Sequence, residues 1–436
     1  MSLLHERIER EVLEKIKPTP EEYKLRDEIF SMVKSLIERG LKDRGLEGEV
    51  TLQGSARKET WLRGSLELDV FVLFEPRDKK WIKEVAFPAL LEVVKELGPH
   101  EVRYAEHPYV RLYVKGVPVE VIPAFKVKNG SEAITAVDRT PFHTQWVLKK
   151  IKEIGEDIRD EIRLMKAFLK GIGAYGAEIK VQGFSGYATE LLVLLHRGFR
   201  ETIEAMGKWR PPVVVNAGKE ALKRFPQASI ILIDPVDPRR NVTAAVSSDT
   251  LALTILAANR YAQKPSIDFY FRESPKSAEA LLPTYVIEMR VRNEPPETIW
   301  GELRRIGRVI VSNLRKAGFE VTRWGVWSDE KERGIIAIEL LSETLPDYEV
   351  IRGPPVWMGK NVNNFLEKHK GMPIWVSDFR IYTIKKRRFK EPKGMIEEVL
   401  KSVKAESLIL KGARIEKVSN AEGWLAEFVK GRAKWM

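Results

Sequence analysis

Residues 54–74 read GSARKETWLRGSLELDVFVLF and join a Gly-Ser turn to an apolar strand that carries two acids. Small residues at a turn let backbone N–H groups and a hydroxyl approach a phosphate, so Ser55 is a candidate phosphate contact. Glu67 and Asp69 are two positions apart in the predicted strand, which places both carboxylates on one face. Two partly buried carboxylates are costly without a cation between them. The stretch therefore predicts a cation site beside a phosphate site; the alternative is an exposed face whose acids pair with Lys or Arg.

A third acid stands alone in another strand-like run. Glu120 is the only charged residue of VPVEVIP, residues 117–123, and adjacent strands would bring it close to Glu67 and Asp69. Hard oxygen ligands without His or Cys beside them suit Mg²⁺. Two such ions ~4 Å apart would activate an attacking hydroxyl and stabilise a leaving pyrophosphate. The three acids therefore predict a magnesium-dependent catalytic site.

Length and composition limit the class of protein. The chain has 436 residues, 44% of them hydrophobic and 31% charged, so it is globular and long enough for two to four domains. It contains no Cys, which excludes disulfide frameworks, thiolate metal sites and cysteine nucleophiles. The first thirty residues carry charges where a signal peptide needs an apolar stretch, and no apolar run approaches ~18 residues. We therefore expect a cytoplasmic protein.

The charge balance points to a polyanionic partner. Lys and Arg number 74 against 62 Asp and Glu, a formal net charge of +12, which favours nucleic acid. A heat-adapted surface dense in ion pairs would give a similar composition. A run of four cations after the strand-like residues 379–384 is predicted to contact an RNA backbone, although such a run also fits a solvated surface. This run consists of Lys385, Lys386, Arg387 and Arg388, and Arg290, Arg292, Arg304, Arg305 and Arg308 are further candidates.

Hydrophobic periodicity divides the chain into three parts of an α+β protein. Two helices in residues 5–45 lead into strands near 50–52, 66–74, 110–115 and 117–122, with a helix over 79–97. Helical spacing dominates residues 145–200 and 248–261. After residue 265 the order is β-α-β-β, a layout shared with many RNA-binding modules. We predict a catalytic domain at 1–144, a mainly helical central domain at 145–264, and a C-terminal body and tail at 265–436.

The Gly-Ser turn, the pattern Gly64-Ser65-x-Glu67-x-Asp69 and the later lone acid resemble the nucleotidyltransferase superfamily of polymerase-β type. A closer resemblance is to the archaeal, class I CCA-adding enzymes, and it covers residues 1–265 strongly and the remainder only in layout. The segments that carry it are RYAEHPYV at 103–110, AVDRTPFH at 136–143, GIGAYGAE at 171–178, GFSGY at 183–187 and DPVDPRRNV at 234–242.

The resemblance implies a palm-like α/β head, a helical central domain, and an RRM-like body with a tail. It implies template-independent addition of C, C and A to the 3′ end of tRNA, from CTP and ATP, with release of pyrophosphate. The C-terminal half would grip the acceptor stem and T arm of tRNA. Whether the chain forms a homodimer stays open.

The resemblance also implies residue roles. Glu67, Asp69 and Glu120 would be the catalytic acids that hold Mg²⁺, and Arg240 would read the incoming base. The remaining nucleotide contacts would be Ser55, Lys58, Thr140, His143, Lys166, Tyr175 and Ser185. Two positions depart from the family pattern, because Glu120 stands where the family usually has Asp and Lys58 where it often has Arg.

Two other functions are open from the sequence. A poly(A) polymerase of the same superfamily would extend other RNA 3′ ends with many A residues. A catalytically idle RNA-binding protein would keep the fold; Glu67 and Asp69 argue against it, whereas Glu120 is the one feature in its favour.

Overall fold

The computed structural model describes residues 2–104, 106–431 and 433–436, so Ala105, within the segment 103–110, lies outside the described residues. The chain forms two compact units. The first unit consists of Met1–Glu273 together with Ala433–Met436, and the second unit consists of Ser274–Arg432. Among the described helices, none combines the length and the apolar character that crossing a membrane requires.

The first unit contains most of the helices of the described chain. Its helices are α1 (Ser2–Ile16), α2 (Pro20–Lys42), α3 (Gly54–Lys58), α4 (Lys79–Trp81), α5 (Phe87–Val94), α6 (Thr140–Ile154), α7 (Ile158–Ile172), α8 (Gly186–His196), α9 (Phe199–Lys208), α10 (Ala221–Arg224) and α11 (Ser248–Gln263). Its strands are β1 (Glu49–Gln53), β2 (Leu68–Phe74), β3 (His100–Tyr104), β4 (Pro108–Val114), β5 (Val117–Phe125), β6 (Val213–Val214) and β7 (Ile230–Ile231).

A five-stranded sheet with the order β1-β2-β5-β4-β3 forms the centre of the N-terminal region. β2 and β5 are parallel, and the other neighbours are antiparallel. One face packs its apolar residues, such as Val70 and Val121, against α2 and α5. The predicted strands are present, but β2 begins at Leu68, so Glu67 lies one residue before it. Strand β3 was not predicted, because its residues are all exposed and give no apolar signal.

Helices α6 to α9 and α11 surround a second core in the first unit. Phe168, Phe199 and Tyr261 are buried there and contact one another edge to face, and Phe184 is buried in the same core. The helical pattern predicted for residues 145–200 and 248–261 is therefore present. This core holds α7 and α8 side by side.

The second unit combines two sheets. Its elements are β8 (Ser277–Val291), α12 (Pro296–Ala317), β9 (Val321–Ser328), β10 (Arg333–Leu340), β11 (Tyr348–Pro355), α13 (Gly359–Lys368), β12 (Ile374–Ser377), β13 (Arg380–Lys386), α14 (Pro392–Ser402), β14 (Leu408–Glu422) and α15 (Gly423–Lys430). The predicted β-α-β-β order is β8-α12-β9-β10, in a sheet ordered β14-β8-β10-β9. The long strand β14 was not predicted, because most of its residues are exposed and it lacks an apolar face. A separate three-stranded sheet has the order β11-β13-β12.

Candidate active site

Strand register places Asp69, Glu120 and Arg111 in one row across the five-stranded sheet. Asp69 is paired with Glu120 between the parallel strands β2 and β5, and Glu120 is paired with Arg111 between β5 and β4. Paired residues of neighbouring strands present their side chains on the same face. Glu67 joins the row through Arg111, whose Nη2 atom lies 3.0 Å from Oε1 of Glu67, while its Nη1 atom donates a 2.9 Å hydrogen bond to Oε1 of Glu120. The structure thus brings together the three acids that the sequence predicted, and it adds a cation that the sequence analysis missed.

Among the acids of this row, Asp69 has the most strongly shifted pKa. Burial, followed by the charges of Glu120 and Glu67, raises the pKa of Asp69 to about 7. Burial and the charge of Glu67 also raise the pKa of Glu120. The Asp69 carboxylate packs directly against Gly54, where a Cβ would overlap it and where the backbone has φ of 65°. Glycine at this position therefore allows the turn and the acid to approach each other.

The donor chemistry of these acids fits a hard divalent cation. Oε1 of Glu67 is buried and accepts no well-directed hydrogen bond, since its contact with Arg111 has the distance of an ion pair without the geometry of a hydrogen bond. In the part of the chain that the structure describes, no group of three or more Asp, Glu or His is arranged to hold a metal ion. Arg111 lies instead between two of the three acids. Metal binding by Glu67, Asp69 and Glu120 stays a prediction.

Lys58 and Lys166, two predicted nucleotide contacts, meet at a single buried carboxylate. Glu190 on α8 accepts hydrogen bonds from Lys58 Nζ at 2.5 Å, Thr60 Oγ1 at 2.6 Å and Lys166 Nζ at 2.8 Å. Although burial raises the pKa of Glu190, the charges of Lys166 and Lys58 outweigh burial and lower it to about 2. Glu190 was not predicted as a site residue, although it is the one acid in the apolar helix GYATELLVLLH, the same signal that identified Glu120.

The beginning of α8 brings Tyr175 and Ser185 together. The Ser185 hydroxyl caps the helix by accepting a 3.1 Å hydrogen bond from the backbone of Ala188. A Cβ at Gly186 would lie 2.9 Å from the Tyr175 hydroxyl oxygen, so this hydroxyl is next to the first turn. Backbone N–H groups and the helix dipole favour an anion at such an end. Ser55 is partly buried in the first turn of α3.

His143 and Arg240 meet at another buried acid, Asp234. Oδ2 of Asp234 lies 2.8 Å from His143 Nε2 and accepts a 3.1 Å hydrogen bond from Arg240 Nη1, while Oδ1 accepts from the Tyr187 hydroxyl at 3.1 Å. Burial lowers the pKa of His143, so the neutral ring donates its Nε2 proton to the carboxylate. The imidazole also stacks on Tyr187 with ring centroids 4.0 Å apart. Thr140 lies one turn earlier on α6 and is partly buried.

This arrangement leaves Arg240 accessible. Its side chain is 43% exposed although Asp234 is fully buried, so the guanidinium is anchored at one nitrogen and can present its other donors to a ligand. No role was predicted for Asp234 or Tyr187, although both belong to segments that carry the family resemblance. Their proximity to His143 depends on the fold and cannot be read from spacing.

The predicted RNA-binding run divides into two kinds of side chain. Lys385 and Lys386 end β13 and are exposed. Arg387 is 15% exposed and donates to the Ala317 carbonyl at 2.5 Å and to Glu349 at 3.1 Å. Arg388 is exposed and pairs with Glu398 at 2.9 Å. The structure therefore leaves the two lysines best placed for a phosphate backbone.

Acids on neighbouring strands beside a Gly-Ser turn are typical of a nucleotidyltransferase. A model of the nucleotidyltransferase domain matches residues 34–143. The model described as tRNA nucleotidyltransferase, second domain, matches residues 160–271, and the model described as CCA-adding enzyme, C-terminal domain, matches residues 284–415. The protein is thus a mixed α+β chain with a nucleotidyltransferase head, a second domain and a C-terminal domain.

Whole-chain relatives identify the family. The CCA-adding enzyme of Pyrobaculum islandicum is 39% identical over 395 residues, which cover 89% of this chain and 92% of that protein. The CCA-adding enzymes of Sulfurisphaera tokodaii and Saccharolobus shibatae are 39% and 40% identical, over 90% and 87% of this chain and 91% and 89% of theirs. The chain belongs to the CCA-adding enzyme family, of the archaeal class I type, and is a CCA tRNA nucleotidyltransferase. The poly(A) alternative receives no support from these relatives.

Proposed function

We propose that the chain completes the CCA end of tRNA by transferring nucleotides from CTP and ATP without a nucleic-acid template. In each step the 3′ hydroxyl oxygen of tRNA bonds to the α-phosphorus of the nucleotide. The bond between that phosphorus and the oxygen that bridges the α- and β-phosphates breaks, and pyrophosphate leaves. The hydroxyl proton passes to solvent. The observation that carries this proposal is the row of Asp69, Glu120 and Arg111 beside the Gly54 turn.

The acids would hold Mg²⁺. Glu67, Asp69 and Glu120 supply oxygen ligands; burial and then the charges of Glu120 and Glu67 raise the pKa of Asp69, and a cation would neutralise those charges. Bound Mg²⁺ would lower the pKa of the attacking hydroxyl and neutralise charge on the leaving pyrophosphate. The longer side chain of Glu120, compared with Asp, still places an oxygen beside Glu67, because both contact the same guanidinium.

The triphosphate would lie near the first turn of α8 and the lysine pair. Lys58 and Lys166 share the single carboxylate of Glu190, so the three groups together keep a charge of +1 that attracts an anion. Tyr175 and Ser185 add hydroxyl donors at the end of α8 where the dipole is positive. In this proposal Ser55 donates to the triphosphate from the opposite side, at the turn next to Asp69.

Base recognition would depend on Arg240. Asp234 fixes one nitrogen of the guanidinium, and the half-exposed remainder offers donors to cytosine or adenine edges. His143, held by the same carboxylate and by stacking on Tyr187, would contact the ribose and phosphate together with Thr140. Because His143 and Arg240 both contact the Asp234 carboxylate, a shift of this carboxylate would move the side chain that reads the base and the side chain that contacts the ribose.

The second unit would bind the acceptor stem and T arm of tRNA. Lys385 and Lys386 are exposed at the end of β13. A 420 Å³ cavity between α12 and β9 is lined by Arg308, Arg315, Lys316 and Trp324. It combines cationic side chains that can donate hydrogen bonds to phosphates with an aromatic ring. The RRM-like order β8-α12-β9-β10 supports this assignment, and we retain 1–144, 145–264 and 265–436 as the proposed domains.

Product length on a gel tests the proposed reaction. The chain is incubated with Mg²⁺, labelled CTP or ATP, and tRNA transcripts that lack one, two or three terminal nucleotides. We expect restoration of CCA without incorporation of GTP or UTP, and no incorporation by Asp69→Asn, which should still bind tRNA. Long A tails would indicate the poly(A) reaction, and tRNA binding without incorporation would indicate the catalytically idle alternative.

A further inference from the structure

Arg111 supplies the positive charge between two acids of the proposed metal site. Its two terminal nitrogens contact different carboxylates, with Nη1 2.9 Å from Glu120 Oε1 and Nη2 3.0 Å from Glu67 Oε1. The Arg111 side chain is 18% exposed and that of Glu120 is 16% exposed. Solvent therefore screens the contact between Arg111 and Glu120 less than it screens an ordinary surface ion pair, whereas the Glu67 side chain is 40% exposed.

The position of Arg111 is fixed by the backbone. It lies opposite Glu120 in the register of β4 and β5, and β5 in turn pairs with β2 at Asp69. A guanidinium stays protonated at any pH at which the protein is folded, so its charge is constant. The net charge of three ionised carboxylates and one guanidinium is −2, whereas the net charge of the carboxylates alone is −3.

We propose that Arg111 is an internal counter-ion, which neutralises Glu67 and Glu120 in the metal-free protein and competes with a divalent cation for their oxygens. This inference rests on the proposed metal site. A cation that takes Oε1 of Glu67 or Oε1 of Glu120 as a ligand displaces the guanidinium contact to that oxygen, because Arg111 engages both atoms. Arg111 therefore stabilises the empty site and weakens its affinity for metal.

Mn²⁺ binding tests the competition directly. The full chain, without nucleotide or tRNA, is titrated with Mn²⁺, and free Mn²⁺ is followed by electron paramagnetic resonance. We expect Arg111→Gln to lower the Kd for Mn²⁺ by about tenfold, since a neighbouring positive charge is removed. Arg414→Gln is the matched control, because Arg414 is also a strand arginine, lies on β14, pairs with Glu416 at 3.6 Å and is 70% exposed; its Kd should stay within about twofold of wild type. An unchanged or higher Kd in Arg111→Gln would overturn the proposal.

A metal-free measurement tests the counter-ion role separately. In EDTA, Arg111→Gln should lower the melting temperature by about 2 to 4 °C, and it is compared with Glu67→Gln and with the double variant. The double variant should melt at a higher temperature than the sum of the two shifts predicts, because the partner that each single variant leaves unpaired is absent. Additive shifts would show that the two side chains do not interact and would overturn the proposal without any reference to metal.

Asp69→Asn separates a failure of this inference from a failure of the proposed metal site. The proposed site requires weaker Mn²⁺ binding in Asp69→Asn, both alone and combined with Arg111→Gln. If Asp69→Asn binds Mn²⁺ as wild type does, the metal lies elsewhere and the competition proposed for Arg111 is wrong. The EDTA experiment still decides whether Arg111 and Glu67 are paired.

Discussion

The ammonium nitrogen of Lys166 lies 2.8 Å from Oε1 of Glu190, and both side chains are at most 3% exposed. Glu190 binds Lys58 through its other oxygen, so two buried cations depend on one buried anion. Lys58 ends α3 beside the sheet, whereas Lys166 and Glu190 belong to the helical part of the first unit. The carboxylate therefore joins the acid-bearing sheet to the helices that carry the other nucleotide contacts.

We expect Glu190→Gln to destabilise the chain by about 3 kcal/mol, because it leaves two ammonium groups buried without a counter-charge. Urea unfolding of both proteins measures the difference. Glu204→Gln is the control, since Glu204 is 68% exposed and its contact with Lys208 is long, at 3.9 Å. Its free energy of unfolding should stay within about 0.5 kcal/mol of wild type. A loss below about 1 kcal/mol in Glu190→Gln would contradict the role given to this acid.

The ion pairs of Glu190 also predict how the stability of the chain depends on pH. The pKa of Glu190 is lowered from 4.5 to about 2, so its folded carboxylate holds its proton less tightly than the unfolded one does. Its stabilisation is complete above pH 4.5 and is lost as the pH falls toward 2. We therefore expect the difference in melting temperature between wild type and Glu190→Gln to narrow over this range. A constant difference from pH 6 to the lowest pH at which both proteins fold would show that ionisation of Glu190 is not the cause.

Local patterns in the sequence identified the acids, whereas long-range partners required the fold. Asp69 and Glu120 were predictable because each interrupts an apolar run and because parallel strands align such runs. The partner of Lys166 was not predictable, since a lysine on a helix gives no sign of which acid will be buried beside it. Arg111 was missed for a related reason: it alternates with apolar residues in β4 like any half-exposed strand cation. β3 and β14 expose most of their residues, so only their hydrogen bonds to neighbouring strands define them.

Gly54→Ala should reduce activity strongly with a modest loss of stability. A Cβ at Gly54 would overlap the Asp69 carboxylate, so the acid must move. Gly64→Ala is a matched control, because Gly64 has φ of 72° against 65° at Gly54, but nothing lies within 4 Å of its Cβ position. Both variants should lose about 1 kcal/mol from backbone strain, and only Gly54→Ala should lower kcat by about tenfold or more. Equal activity of the two variants would mean that Asp69 does not need its observed position.

Arg240→Gln should relax nucleotide selection while leaving the chain folded. The guanidinium is anchored to Asp234 and 43% exposed, so its loss removes donors to the base and leaves the buried acid with His143 and Tyr187. Discrimination against GTP and UTP, measured as ratios of kcat/KM on tRNA lacking its terminal nucleotides, should fall about tenfold to a hundredfold. Arg239→Gln is the control, since Arg239 is 63% exposed and pairs with Asp237. If Arg239→Gln relaxes selection and Arg240→Gln does not, the base is read by the neighbouring arginine.

Salt dependence distinguishes an RNA-binding role of the β13 lysines from a solvated surface. Each phosphate contact releases counter-ions, so the tRNA association constant falls as salt rises. The double variant Lys385→Gln, Lys386→Gln should make the negative slope of the logarithm of this constant against the logarithm of salt concentration shallower by about 1.4 to 1.8. Lys149 and Lys152 provide the control pair, because they are exposed on α6 and their replacement by Gln removes the same charge. The slope should change little in that variant. Equal changes in the two double variants would show that tRNA responds to the net charge of +12 rather than to a contact at β13.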